Sequence, residues 1–377
     1  MSDKHLHIIS FDIPYPPNYG GVIDVFYKIK FLHREGIKIH LHCFEYGRGH
    51  SQELKRYCDC VFYYKRRTSF RSHFSLTPYI INSRVSEALI SRLLQDRHPV
   101  LMEGLHSCYY LTDKRLKGRK LIFRESNIEH RYYRELMKQE KNIAEKIFFL
   151  SEAFKLERFE KNIQHANLTL TVSEEDKNYF SKKYPGLKVV NIPSFHANEE
   201  VNAKPGKGDY LLYHGNLSIQ ENRAAVEFLL SEIAPKIELP VIVAGLNPDS
   251  GLKKLIAKKK NVTLIENPDE ALIFDLIRNA HINFLYTKQA TGLKLKLLNA
   301  LYNGRFCLVN QKMLHGIEAD ELCVIENDPK RMIEQIKKLA EEPFTGELIE
   351  KRKKLLLEKF SPVKNTAQLI KIIYGQA

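Results

Sequence analysis

Short apolar runs alternate with amphipathic stretches along the whole chain. The runs at 5–10, 38–44, 60–64, 100–103, 120–124, 167–172 and 187–192 are rich in Val, Ile, Leu and Phe and often apolar on both faces. That pattern predicts buried parallel strands. Between them, 22–35, 84–94 and the long 131–165 carry helical spacing. Strand followed by helix, repeated, predicts a doubly wound α/β sheet with right-handed crossovers.

The pattern stops and restarts. Residues 198–208 are polar, hold Pro205, Gly206 and Gly208, and read as an interdomain linker. Strand candidates then resume at 210–214, 240–244, 262–265, 282–286, 306–309 and 323–325, followed by helix candidates. The chain therefore reads as two tandem Rossmann-like domains, 1–195 and 209–358, joined by 196–208. The helical stretch 348–373 is interrupted at Ser361-Pro362, and a proline there bends the chain. The expectation is that 359–377 forms a helix that crosses back to the first domain. Ligands in such sheets bind outside the carboxyl ends of the strands, so two domains facing each other across a cleft would bring those ends opposite one another.

Composition narrows the function classes. With 377 residues, 44% hydrophobic and 28% charged, the chain is globular. It holds no run near the ~20 apolar residues of a membrane span, and its start lacks the order of a secretory signal. The expectation is a cytoplasmic protein. The six cysteines form no CxxC pair and no zinc spacing, and most lie in apolar runs, which predicts inert thiols and no metal. The net charge of +14 favours an anionic partner, with the basic excess densest at 55–56, 65–71 and 114–120.

Three stretches carry candidate chemistry. In 290–304, Thr291 and Gly292 end a short polar loop after the 282–286 strand, and a helix follows with Lys294 and Lys296 in its first turn. Gly292 lets the backbone approach a ligand, Thr291 is a candidate cap, and the helix start offers N–H groups to an anion. Lysines there oppose the helix dipole, which calls for an anion to offset them. In the second stretch, Gly215 and Asn216 follow the 210–214 strand with Asn222 near the next helix, and Gly20-Gly21 ends the matching loop of the first domain. The third packs Glu125, Asn127, Glu129 and His130 after the 120–124 strand, while His106 follows the 100–103 strand.

Together these features resemble the GT-B glycosyltransferases of the family-four, retaining kind. The tandem plan, Gly20-Gly21, Gly215, the Val172-Ser173-Glu174 run, Pro193 and the spaced run from Gly292 to Gly304 carry the resemblance over nearly the whole chain. It implies a nucleotide-sugar donor bound mainly by the second domain, with the diphosphate near Gly292. Lys294 and Lys296 would be its charge partners, and His106 a third catalytic candidate. Gly20, Gly21, Gly215, Asn216, Thr291, Gly292, Leu295 and Asn299 would contact the donor, and Asn127, Glu129 and His130 the acceptor. The implied chemistry needs no metal and no cofactor, since positive groups and the helix dipole stabilise the departing diphosphate.

Two departures from the family pattern stand out. Where many members carry two glutamates eight residues apart, this chain has Thr291 and Asn299, and it lacks the Arg and Lys that many members place after the Gly215 strand. Without that pair, the leaving-group charge would rest on Lys294, Lys296 and Arg223. They motivate the alternatives, a non-catalytic relative that binds nucleotide or glycan, or a nucleotide-sugar epimerase. The basic, aromatic run 63–74 suits an acceptor-side loop or a solvated turn better than peripheral contact with an anionic membrane at the inner face. Nucleic-acid binding, prompted by the basic charge, ranks last, for want of a recognition-helix, RNP-like or zinc motif, and no nucleic-acid partner is expected.

Overall fold

The computed structural model describes residues 3–68, 75–288 and 294–375. The chain divides into two compact units, Met1–Ala197 with Pro362–Ala377, and Asn198–Ser361.

In the first unit the elements run β1 (His5–Ser10), α1 (Gly20–Arg34), β2 (Lys38–Glu45), β3 (Cys60–Lys65), α2 (Tyr79–Asn82), α3 (Glu87–Leu93) and β4 (Val100–Glu103). They continue with β5 (Leu121–Arg124), α4 (Glu129–Gln139), α5 (Ile143–Glu160), β6 (Leu168–Thr171), α6 (Glu174–Lys183) and β7 (Val189–Asn191). The strands form one parallel sheet in the order β3-β2-β1-β4-β5-β6-β7. The order reverses between β1 and β4, which makes that position the topological switch point. Apolar residues on alternate faces of the strands, such as Ile9 and Met102 on one and Leu6, Ile8 and Leu101 on the other, enter two separate cores.

The second unit repeats the scheme. It runs β8 (Leu211–Asn216), α7 (Gln220–Phe228), β9 (Val241–Leu246), α8 (Ser250–Ala257), β10 (Val262–Glu266), α9 (Glu270–Asn279) and β11 (Ile282–Leu285). Then follow α10 (Leu295–Asn303), β12 (Phe306–Val309), β13 (Val324–Ile325), α11 (Pro329–Glu341) and α12 (Gly346–Lys359). The parallel order is β10-β9-β8-β11-β12-β13, with its switch point between β8 and β11. The polar segment read as a linker is tied to this unit: Asn202 N–H donates to Tyr302 O at 2.7 Å, and Gly206 pairs with Phe344. The last helix, α13 (Pro362–Tyr374), belongs to the first unit, where Leu369 and Ile373 enter the core and Asn365 Nδ2 donates to Pro193 O at 3.2 Å.

The long helix expected over 131–165 is two helices. Glu140 accepts from the N–H groups of Lys141 and Asn142, and Asn142 Oδ1 accepts from Ala144 and Glu145. These local side-chain bonds compete with helix continuation and start α5 afresh. Cys43, Cys58, Cys108 and Cys307 are buried, and burial pushes their thiols up.

A buried charge network fastens the carboxyl ends of the first sheet. Lys28 Nζ lies 2.8 Å from Asp24 and 2.7 Å from Glu103, and Arg124 Nη2 lies 3.2 Å from Asp24. Arg124 also donates to the carbonyls of Thr171 and Ile192, and Phe195 N–H to Asp24 at 2.7 Å. Burial alone would raise the Asp24 pKa, but Arg124 and Lys28 hold it down at about 2. Burial raises that of Glu103 against the pull of Lys28. Removing one member of such a network strands the others without water. Asp24→Ala should therefore lower the unfolding free energy in urea by about 3–5 kcal/mol. Ser173→Ala, which removes the α6 cap to Asp176 N–H and the hydroxyl's bond to Asp176 Oδ2, should cost about 1 kcal/mol.

Candidate functional site

Helix caps separate one set of helices from another. Side chains cap α3, α5, α6, α8, α9, α11 and α12. The starts of α1, α4, α7 and α10, which follow β1, β5, β8 and β11, have no side-chain cap. Among the described residues no side chain takes their first N–H groups, which lie at the positive end of the helix dipole, where an anion is favoured. In the second unit, α7 and α10 follow the two strands that flank the switch point.

The lysines of α10 gather there. Helix α10 starts at Leu295, which is buried, with Lys294 at the cap position. Thr291 and Gly292 lie outside the described residues. Lys294 Nζ lies 2.9 Å from Glu221 in the first turn of α7, and Glu221 also accepts from the Thr287 hydroxyl. Asn310 holds Thr287 by both its N–H, at 3.1 Å, and its carbonyl, at 2.7 Å. Lys296 Nζ lies 2.5 Å from Asn222 Oδ1 and 5.2 Å from the Tyr213 ring centroid. Enclosure among protein atoms lowers the Lys296 pKa to about 8, Lys294 adds to the fall, and Glu221 opposes it. The neighbouring His214 is driven to about 3 by burial and by Lys296, and its Nε2 has no hydrogen-bond partner.

The other donor-side candidates divide. At Gly215 a Cβ would lie 3.2 Å from the Asn222 amide, whose Nδ2 donates to Asn216 O at 2.9 Å, so the glycine lets α7 sit close to β8. Asn216 Oδ1 is used locally, accepting from Ser218 N–H and hydroxyl at 3.1 and 2.7 Å. Asn299 Oδ1 accepts from Asn198 at 2.8 Å, and Asn303 bonds both Asn198 Oδ1 and Asn299 O. Asn299, expected to contact the donor, is thus engaged in an asparagine ladder within its own unit. Arg223, the third cation considered for the diphosphate, is paired with Asp249 and Glu227.

In the first unit, Gly20 and Gly21 open α1 beside its switch point. A Cβ on Gly21 would come within 2.6 Å of Phe11 Cζ, whereas one on Gly20 would meet nothing within 4 Å. Gly21 is a packing requirement and Gly20 an open approach. His106 lies just after β4, its ring centroid 5.3 Å from that of Phe11 and its Nδ1 3.8 Å from Glu129 Oε1. That Nδ1 is buried without a hydrogen-bond partner. Arg84 donates to Phe11 O and Ile80 O, and burial lowers its pKa to about 9. Burial, then Arg84 and Arg66, keeps His106 neutral well below the usual imidazole range. Burial raises Glu129 to about 8 despite Arg84. His106 and Glu129 are brought together.

Asn127 stands half-buried in the loop before α4. His130 is withdrawn from that group: its Nδ1 lies 3.1 Å from buried Glu160, which also binds Tyr179, Tyr184 and Lys183. Its expected acceptor contact gives way to a structural bond between α4 and α5. Ser69 to Phe74 of the basic, aromatic run lie outside the described residues, and Arg66 in that run turns inward to Ser83 Oγ at 2.9 Å. Glu221, Tyr213, Thr287 and Arg84 escaped the sequence reading. The available signals were the single acid in the first turn of α7 and an arginine inside an apolar stretch.

Glu129 gives this cluster a pH signature. Its carboxyl stays protonated in the folded chain up to about pH 8, where the unfolded chain has already lost that proton. Its contribution to stability therefore falls as pH rises from about 4.5 to about 8. Glu129→Gln should melt several degrees higher than the natural chain at pH 8.5, and at nearly the same temperature at pH 4.5, by calorimetry.

No family model matches the sequence. The chain is 27% identical over 330 residues to an uncharacterized 44.6 kDa protein in the cps region of Klebsiella pneumoniae, covering 79% of this chain and 81% of that one. The structure is similar to sucrose-phosphate synthase from Thermosynechococcus elongatus, with TM-score 0.70, 12% identity and 98% of both chains covered. Anabaena HepE in complex with UDP and glucose matches with TM-score 0.66 and 11% identity, over 99% of this chain and 100% of that one. WaaG, a glycosyltransferase involved in lipopolysaccharide biosynthesis, matches with TM-score 0.64 and 13% identity, over 98% of this chain and 100% of that one. With two parallel Rossmann-like sheets and these neighbours, the chain has the GT-B glycosyltransferase fold.

Proposed function

We propose that this protein is a glycosyltransferase that moves a sugar from a nucleotide-diphosphate donor to a glycan or lipid-linked acceptor. The transfer proceeds with retention and without a metal ion, in the cytoplasm, during synthesis of a cell-surface polysaccharide. One observation carries the reading. At the switch point of the second unit, two uncapped helix starts converge with Lys294, Lys296 and the unpartnered His214 nitrogen. In transfer, the bond from the sugar C1 to the diphosphate oxygen breaks and its electron pair leaves with the diphosphate. The acceptor hydroxyl forms the new C1–O bond, and its proton passes to the departing diphosphate oxygen. Cations and N–H groups brought to the leaving group stabilise that charge as it develops. Donor binding exchanges the Glu221 and Asn222 contacts of the two lysines for phosphate oxygens.

The relatives support the substrate classes. HepE is described with UDP and with UDP-glucose, WaaG with lipopolysaccharide biosynthesis, and the Klebsiella protein with a cps region. His106, Glu129 and Asn127 belong to the unit assigned to the acceptor. The asparagine ladder that engages Asn299 favours a second reading, a nucleotide-binding relative without turnover, or an epimerase that acts without acceptor.

A melting-temperature panel of UDP, GDP, ADP and their sugar conjugates, with and without EDTA, tests the donor site. One nucleotide should stabilise the chain regardless of EDTA. Lys296→Met should abolish that shift and lower kcat/KM by about 100-fold or more, without lowering the melting temperature of the free protein. In the natural chain, donor affinity should fall as pH rises past about 8, where Lys296 loses its proton. Nucleotide binding with no sugar transferred would favour the second reading, and the anomeric configuration of the product by NMR tests retention.

A lipid-linked acceptor has separate support in α5. Ile143, Ile147, Leu150 and Phe154 are 75%, 64%, 39% and 59% exposed and follow one another at helical spacing, and exposed Arg158 continues the row. An anionic lipid surface suits an apolar row that ends in a cation on a basic protein. The chain should co-sediment with phosphatidylglycerol vesicles and not with phosphatidylcholine ones, and Ile147→Ser/Phe154→Ser should weaken that binding several-fold.

A further inference from the structure

Among the described residues, one group of histidine, cysteine, aspartate or glutamate side chains brings three ligand atoms within 4.8 Å of one another: His5, His40 and His98. It lies at the amino ends of the first unit's strands, the opposite end of the sheet from His106 and Gly20. His5 opens β1, His40 is the third residue of β2, and His98 comes two residues before β4. The register sets His7 beside both His40 and Val100, so alternate residues of three neighbouring strands share one face. Their rings stack, His5 on His98 with centroids 4.4 Å apart and His7 on His40 at 4.8 Å. His5 Nδ1 lies 2.9 Å from His40 Nε2.

Three imidazoles converging from separate segments of the chain are the donor set that zinc and its first-row neighbours favour. In a tetrahedral zinc site, Zn–N bonds of ~2.0 Å set ligand nitrogens about 3.3 Å apart. The His5–His40 pair is already that close, and His98 is half-buried in the loop leading into β4. Carboxylates lie near the group: Asp59 and Asp96 act on His40, and Asp96, together with the Arg119 cation, on His98. Asp96 is itself held by His7 at 3.0 Å and Arg119 at 2.8 Å.

We propose that His5, His40 and His98 bind one first-row transition-metal ion, zinc foremost, with water in the fourth position. The ion takes the place of the proton between His5 and His40 and fastens β1, β2 and the approach to β4. The site lies within the first unit and is independent of the donor reading.

The test uses the full chain without an affinity tag, stripped with EDTA and dialysed. Co²⁺ is titrated by its visible d–d absorption, and Zn²⁺ by competition with a chromophoric chelator. The expected result is one equivalent per chain and a melting temperature that rises with Zn²⁺ and saturates at one equivalent. His98→Ala and His5→Ala should each weaken binding by more than about 100-fold, since even outer-shell changes cost 10–100-fold. Exposed His165→Ala should leave binding unchanged. If His5→Ala does not fold, His98→Asn, in the loop before β4, carries the test. Absence of a stoichiometric equivalent, or binding unaltered in the His98 variants, overturns the site.

Discussion

A parallel sheet covered by helices on both faces leaves room for polar chemistry chiefly at the ends of its strands, and the rest of this structure follows from that constraint. The strand interiors are mostly Val, Ile, Leu and Phe, with the histidines of β1 and β2 the chief polar exception. Charge collects where the strands stop. In the first unit, Asp24, Lys28, Glu103 and Arg124 bind α1 to the carboxyl ends of β4 and β5, and Arg124 extends the network to the carbonyls of Thr171 and Ile192. Four charges out of water are tolerated only because each meets an opposite charge and the spare donors meet backbone. That arrangement sets the edge from which the Gly20 helix start and the His106 loop depart.

The second unit treats the same edge differently. Its cations are not locked among carboxylates deep in the fold. Lys294 has one partially accessible carboxylate, and Lys296 has an amide oxygen and an aromatic face. Two lysines at a helix start oppose the helix dipole, a local cost that a bound anion would offset. The low Lys296 pKa and the unpartnered His214 nitrogen belong to a cluster with fewer opposite charges than the network of the first unit. The first unit's charges are saturated by one another, whereas those of the second unit rest on one carboxylate, one amide and one ring.

The histidines of the first unit follow a similar division. His106 stands alone at the carboxyl end beside Glu129. His130 is consumed by Glu160, and His5, His40 and His98 stack at the amino end. Identical side chains take three roles because their nearest partners differ: a protonated carboxyl, an ionised one, or other imidazoles.

Strand positions, the tandem plan and the break at Ser361-Pro362 were legible in the sequence, because buried parallel strands are unbroken apolar runs and proline cannot continue a helix. Phe306–Val309 and Val100–Glu103 appear with the bounds their apolar runs predict. The split of α4 from α5 was not legible, because it rests on side-chain bonds from Glu140 and Asn142 that compete weakly with helix propensity. At the candidate sites, residue type and strand-end position pointed to Lys294, Lys296, His106 and Glu129. Only the tertiary structure decided that Lys294 meets Glu221, that Asn299 is engaged by Asn198, and that His130 turns to Glu160. Periodicity is a property of one segment and survives in one dimension. The partner of a polar side chain comes from another segment, 73, 101 or 30 residues away in these three cases, and exists only once the sheet has brought them together.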